Sequence, residues 1–113
     1  MLLNESRNSK ARVSMIFLCH AADIAPNTVR RITLPDGKSI AVYNLSGRFL
    51  ATDDRCTHGQ ASLADGMIED GSIVCPLHFG SFDIETGEPT APPCSIPLPT
   101  FRVVVSGDSL YLD

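Results

Sequence analysis

The sequence has no excess of positive charge and no long apolar run. Its formal net charge is −4 at pH 7. That balance argues against nucleic acid or an anionic membrane surface as a partner, and it allows docking on a basic protein surface. No stretch approaches the roughly 18 apolar residues that a membrane-spanning helix needs. We therefore expect a protein that neither binds nucleic acid nor enters a membrane.

Long helical periodicity is also scarce. Glycine and proline each occur eight times in 113 residues, and short β-type segments alternate with turn sequences. This pattern predicts one all-β domain of antiparallel strands. The predicted strands include the hairpin 28–34/39–45, the third strand 48–52 of its meander, the strands flanking Asp70-Gly71, the strand 81–84 and the closing hairpin 101–105/110–112.

The first 14 residues differ in character from the rest. They are polar and mixed in charge, and the apolar run from Met15 to Cys19 begins only after them. We predict a mobile tail over 1–14 and a single domain over 15–113. The alternative is a signal peptide, because Lys10 and Arg12 precede the run, but the run is too short for the apolar core of such a peptide. A first β-strand and a cytoplasmic protein are the expectation.

Two short clusters combine a thiol with an imidazole. Cys56 and His58 form C-x-H, sixteen residues follow, and Cys75 and His78 form C-x-x-H. A soft and a borderline ligand on each loop suit a centre of two metal atoms in which each loop gives one ligand to each atom. The alternative is a structural zinc ion, but such sites usually open with C-x2–4-C or close with H-x3–5-H, and neither spacing occurs here.

The segments Cys56-Thr57-His58-Gly59 and Cys75-Pro76-Leu77-His78 resemble the Rieske family. The resemblance implies one [2Fe–2S] cluster, with Cys56 and Cys75 on an inner iron and His58 and His78 on an outer, solvent-facing iron. It also implies the Rieske fold, in which an antiparallel sandwich or barrel carries a small cluster-binding part, here about 55–95.

The residues around the motif indicate which kind of Rieske protein this is. Ala61 and Leu77 stand where respiratory Rieske proteins carry a disulfide, and Gly80 and Phe82 stand where high-potential members carry hydroxyl donors. Without those hydrogen bonds to sulfur, we expect a low potential of roughly −150 mV. The sequence resembles the ferredoxin component of bacterial oxygenases that hydroxylate aromatic rings.

That resemblance implies a one-electron carrier and not an enzyme, with no catalytic residue of its own. Its partners would be a flavin-containing reductase and a terminal oxygenase. Only His20 remains beyond the cluster histidines, so a mononuclear iron site of two histidines and one carboxylate cannot be assembled. A Rieske-type small subunit of an assimilatory nitrite reductase is the alternative, although that group often lacks intact ligands.

The resemblance also suggests how partners dock. A proline-containing loop covers the cluster in the family, and residues 89–99 hold five prolines; the alternative is an extended linker. We expect a monomer when free, two ordinary buried thiols at Cys19 and Cys94, and an uncharged docking patch with acidic residues farther out for steering. The patch would comprise Gln60, Phe79, Pro92 and Pro93, and the steering residues Asp53, Asp54 and Asp65.

Overall fold

The computed structural model describes residues 15–113, so the expected tail over 1–14 lies outside the described residues. All strand pairs in this part are antiparallel, which confirms the all-β prediction. The strands are β1 (Ile16–His20), β2 (Thr28–Thr33), β3 (Ser39–Leu45), β4 (Arg48–Asp53), β5 (Met67–Glu69), β6 (Ser72–Val74), β7 (Ser81–Asp83), β8 (Pro89–Ala91), β9 (Thr100–Phe101), β10 (Val103–Ser106) and β11 (Ser109–Leu112).

The strands form three sheets. Their orders are β1-β11-β10, β2-β3-β4-β9 and β5-β6-β7-β8. The first two sheets make the base, which contains the predicted meander and the predicted closing hairpin. The third is the small cluster-binding sheet. Two 3-10 turns, Ala21–Asp23 and Leu63–Asp65, are the helical elements in the described residues, and neither has the length and apolar character that crossing a membrane requires.

The predicted turns form for a local reason. Asp70 and Gly71 have φ angles of 50° and 79°, and Ser46 and Gly47 have φ angles of 52° and 98°. Two successive positive φ values belong to the tight hairpin turn whose twist matches that of the flanking strands. These dipeptides therefore set the register of β5 with β6 and of β3 with β4.

The central strand β3 divides the interior into two cores. Its alternate side chains point to opposite faces, and Ile40 to Asn44 are all buried. Ala41 and Tyr43 belong to a core that also contains Cys56 and Cys75. The other face contributes to a second core, beneath β1 and β11. One face of β3 thus supports the base, and the other supports the candidate metal centre.

Candidate metal centre

The first loop, residues 54–62, leaves the base at the end of β4 and carries Cys56 and His58. A buried carboxylate at its start ties its two ends together. Ser62 Oγ donates to one oxygen of Asp54 at 2.7 Å and the backbone N–H of Ala64 donates to the other at 3.0 Å. Leu63 N–H also donates to the Asp54 carbonyl at 2.7 Å. The loop that presents Cys56 is therefore closed at its base.

The second loop, residues 75–80, joins β6 to β7. Cys75 N–H donates to the Gly80 carbonyl at 2.7 Å, and Phe79 N–H donates to the Cys75 carbonyl at 3.0 Å. Phe79 has a φ of 63°, a conformation that bulky residues rarely adopt. The tight loop directs the backbone N–H groups of Leu77 and His78 at the Cys75 sulfur, where they can stabilise a thiolate.

The two loops place their thiols inside and their imidazoles outside. Cys56 and Cys75 are each 2% exposed and belong to one buried core. His58 and His78 are exposed, with ring centroids 4.9 Å apart and planes inclined at 85°. The structure thus brings together the four residues that the sequence selected, with a soft pair facing the core and an imidazole pair facing solvent.

This donor set fits a binuclear iron–sulfur group. Two thiolates and two neutral imidazoles, one pair for each iron, are the protein ligands of a Rieske cluster. Within residues 15–113, no group of three or more histidine, cysteine or acidic side chains is arranged to hold one metal ion. A cluster with two protein ligands per iron does not require such a group.

Burial governs the thiols at the centre. It raises the pKa of Cys75, although hydrogen bonds from the backbone N–H groups of Leu77 and His78 oppose the rise. All four cysteines, which lie within the described residues, are free, as the sequence predicted. A thiol with a raised pKa must lose its proton to become an iron ligand, so binding the metal releases protons here.

The proline-rich segment packs against both loops. Pro89–Ala91 forms β8 and pairs with β7, so the alternative of an extended linker is wrong. Beyond it, the third loop (residues 92–99) accepts a hydrogen bond from Thr57 Oγ1 at the Ile96 carbonyl, 2.8 Å away. Asp53 N–H donates to the Pro99 carbonyl at 2.9 Å. The third loop therefore lies against the first loop, and its role as a cover for the cluster stays a prediction.

Cys94 is the neighbour of the centre that sequence reasoning missed. It is 6% exposed and belongs to the same core as Cys56 and Cys75. Burial first, and then the neighbouring Cys56 and Cys75, raises the pKa of its thiol to about 12. The prediction of an ordinary buried thiol is right about burial, but it did not place Cys94 in the core of the candidate metal centre. No local signal marked it, because its neighbours are 38 and 19 positions away in the chain.

The other residues that the sequence placed around the centre fall into an exposed group and a buried group. Phe79 is 74% exposed, and Gln60, Pro92 and Pro93 are exposed beside the same loops. Gly80 and Phe82 are buried, so neither can belong to a docking surface. Phe82 is 0% exposed because its ring packs in the core that holds the two cysteines.

The structure corrects one of the acidic steering residues. Asp54 is 6% exposed, and both of its oxygens accept hydrogen bonds within the chain. A carboxylate held in this way has a structural role and projects little field toward a partner. Asp65 remains on the surface, where its side chain is 67% exposed and lies 3.8 Å from Arg31 Nη1.

Comparison with known proteins agrees with this geometry. Residues 14–102 match the model of the Rieske [2Fe-2S] domain. The ferredoxin component of the p-cumate 2,3-dioxygenase system of Pseudomonas putida is 42% identical over 100 residues, which are 88% of this chain and 85% of that protein.

Solved structures give the same result. A chain from the complex of reduced oxygenase and oxidised ferredoxin of carbazole 1,9a-dioxygenase superposes with a TM-score of 0.83 at 39% identity, covering 88% of this chain and 92% of that one. A chain described as a putative nitrite reductase small subunit superposes with a TM-score of 0.77, covering 88% of this chain and 97% of that one, but at 20% identity. At this low identity, the likeness to the nitrite reductase small subunit shows the fold alone.

Proposed function

Because this chain belongs to the Rieske [2Fe–2S] domain family, we propose that it is the ferredoxin component of an aromatic-ring dioxygenase system. It accepts one electron at a time from a flavin-containing reductase and passes it to a terminal oxygenase. The observation that carries this proposal is the exposed His58–His78 pair above two buried cysteines, in a chain that covers 85% of a named ferredoxin component.

The four motif residues would hold the one Rieske cluster that the family carries. Cys56 and Cys75 would bind the inner iron, and His58 and His78 would bind the outer iron. When bound, the cluster supplies a one-electron redox couple, and its coordination positions are filled by protein and sulfide. The chain therefore transfers electrons, and the substrate chemistry belongs to the oxygenase.

The protein contributes shielding on one side and access on the other. The buried cysteines lie in a packed core, which excludes water from the inner iron. The histidines lie at the surface, so an electron has a short path to a docked partner. No hydroxyl occupies the positions of Gly80 and Phe82, and we expect a low potential of roughly −150 mV.

The surface around the histidines suits a transient partner. Phe79 is 74% exposed and Leu77 is 47% exposed, and Pro92 and Pro93 are exposed on the adjoining third loop. An apolar centre with charges kept to the rim is typical of protein interfaces. The docking patch expected from the sequence, Gln60, Phe79, Pro92 and Pro93, is therefore extended here by Leu77.

Reconstitution tests the proposal. The holo-protein would be combined with the reductase and terminal oxygenase of an aromatic dioxygenase system, and product formed from the aromatic substrate would be measured with and without it. We expect turnover to depend on the added protein and to saturate with its concentration. A reducible protein that fails to support turnover with several such systems would contradict the proposal.

A further inference from the structure

Cys94 has a position that the proposed function does not yet use. Its thiol belongs to the same buried core as Cys56 and Cys75, and it is 6% exposed, so water does not compete for its hydrogen. With Cys56 and Cys75 assigned to iron, Cys94 is the thiol at the centre that still carries a hydrogen. A cysteine S–H is a weak hydrogen-bond donor.

The space around Gly80 shows how closely this thiol is fitted. A Cβ on Gly80 would lie 2.6 Å from Cys94 Sγ, which is closer than such atoms approach each other, and 3.0 Å from Pro93 Cδ, which is a tight contact. The third loop is therefore packed against the second loop through Cys94. The sulfur of Cys94 fills the space that any side chain at position 80 would need.

We propose that Cys94 is a positioning residue whose thiol donates a hydrogen bond to the sulfur of Cys56 and raises the reduction potential of the cluster. This inference rests on the proposed function, because it takes Cys56 as an iron ligand. Reduction adds negative charge that is shared by the ligand sulfurs, and a donor aimed at one of them stabilises the reduced state more than the oxidised state. The thiol thus partly replaces the hydroxyl donors that this sequence lacks.

Voltammetry of variants tests the proposal. Cys94→Ala removes the donor, and we expect its potential to fall below that of the wild type. Cys94→Ser keeps a donor and should retain more of the wild-type potential than the alanine variant. The matched control is Cys19→Ala, which removes a thiol that is 7% exposed in the second core and should leave the potential unchanged. Iron content and the visible spectrum would confirm that each variant carries its cluster.

Two outcomes would overturn the proposal. One is a wild-type potential in a fully loaded Cys94→Ala protein. The other is an equal shift in the alanine and serine variants, which would indicate a change in packing and not the loss of a donor.

Infrared spectroscopy gives a second readout if Cys94→Ala does not take up a cluster. In the holo-protein of Cys19→Ala, Cys94 is the one cysteine that is neither replaced nor assigned to iron, since the chain has four cysteines. We expect a single S–H stretching band that moves to lower wavenumber on reduction, when the acceptor sulfur becomes more negative. A band that is absent, or that does not move, would refute the donor role.

These measurements separate the inference from the proposed function. The potential and the S–H band are read from the isolated protein without any partner. If turnover with an oxygenase fails while the band moves on reduction, the proposed function is wrong and the role of Cys94 stands. If turnover succeeds while the band does not move, the reverse holds.

Discussion

Removing the buried carboxylate of Asp54 should loosen the first loop without touching an iron ligand. Asp54 accepts hydrogen bonds from Ser62 Oγ at 2.7 Å and from the Ala64 backbone at 3.0 Å. Both donors lie beyond Cys56 and His58 in the chain, so the carboxylate closes the loop that carries them. Asp54→Ala deletes both bonds at once.

The expected loss follows from these two contacts. A hydrogen bond to a charged group contributes about 1.5–3 kcal/mol, and a buried donor left without a partner costs about 1–3 kcal/mol. Ser62 Oγ still accepts from Arg31 Nη1 at 2.8 Å, and its O–H, which is only partly buried, can turn to water. The Ala64 N–H has no second acceptor among the described hydrogen bonds. We therefore expect Asp54→Ala to destabilise the protein by about 3 kcal/mol. Asp54→Asn keeps an acceptor oxygen and should lose about half as much.

The assay follows unfolding and cluster loss together. For a domain of about 100 residues, 1 kcal/mol shifts the melting temperature by roughly 4–8 °C, so Asp54→Ala should melt at least about 12 °C below the wild type. Loss of the visible absorbance at fixed temperature should accelerate in parallel. The matched control is Asp65→Asn, since that side chain is 67% exposed and should change stability by less than about 0.5 kcal/mol.

Two results would refute this reasoning. One is a melting temperature for Asp54→Ala within about 4 °C of the wild type, which would mean that the carboxylate does not hold the loop. The other is a large fall in the electron-transfer rate of a fully loaded Asp54→Asn protein at low salt, with stability unchanged. That result would restore the steering role that burial excludes.

Two further predictions concern the docking patch and the core. Phe79→Ala should slow electron transfer to a terminal oxygenase about tenfold in stopped-flow measurements at unchanged potential, since aromatic residues that become buried at interfaces often contribute more than 1 kcal/mol. The control is Val105→Ala, because Val105 is 53% exposed in the base. Equal electron-transfer rates for the two variants would contradict the docking patch. Burial raises the pKa of Tyr43 above its usual value of about 10. The stabilisation that comes from burying the protonated Tyr43 is therefore complete below about pH 10. It is lost as the pH rises further, because the tyrosine of the unfolded chain ionises first. The free energy of unfolding should fall more steeply above pH 10 for the wild type than for Tyr43→Phe, and parallel pH curves would show that Tyr43 is not the group responsible.

The sequence predicted local features well because their causes are local. The Asp70-Gly71 turn needs two positive φ angles, which these residues tolerate, and the strands on either side follow from it. The proposed ligand set could be read from the sequence because two short spacings bring a thiol and an imidazole onto each loop. In such cases the residues that determine the structure are neighbours in the chain.

Features that depend on distant pairing were not predictable. The carboxylate of Asp54 looks like its neighbour Asp53 in the sequence, and its burial depends on Ser62 and Ala64 folding back over it. β1 pairs with β11 at the far end of the chain, and β8 forms within a segment whose prolines suggest a linker. Tertiary packing decides these cases, and a single sequence shows little of it.

The division of the interior by β3 explains how a chain of this size holds its metal centre. The second core joins β1, β11 and one face of β3 and contains no proposed ligand. The first core contains the proposed ligands Cys56 and Cys75 together with Cys94, so the proposed ligands are part of the packing that holds the small sheet to the base. We therefore expect metal binding and folding of the small sheet to be coupled, and we expect the core beneath β1 and β11, which is built from apolar side chains, to depend less on the metal.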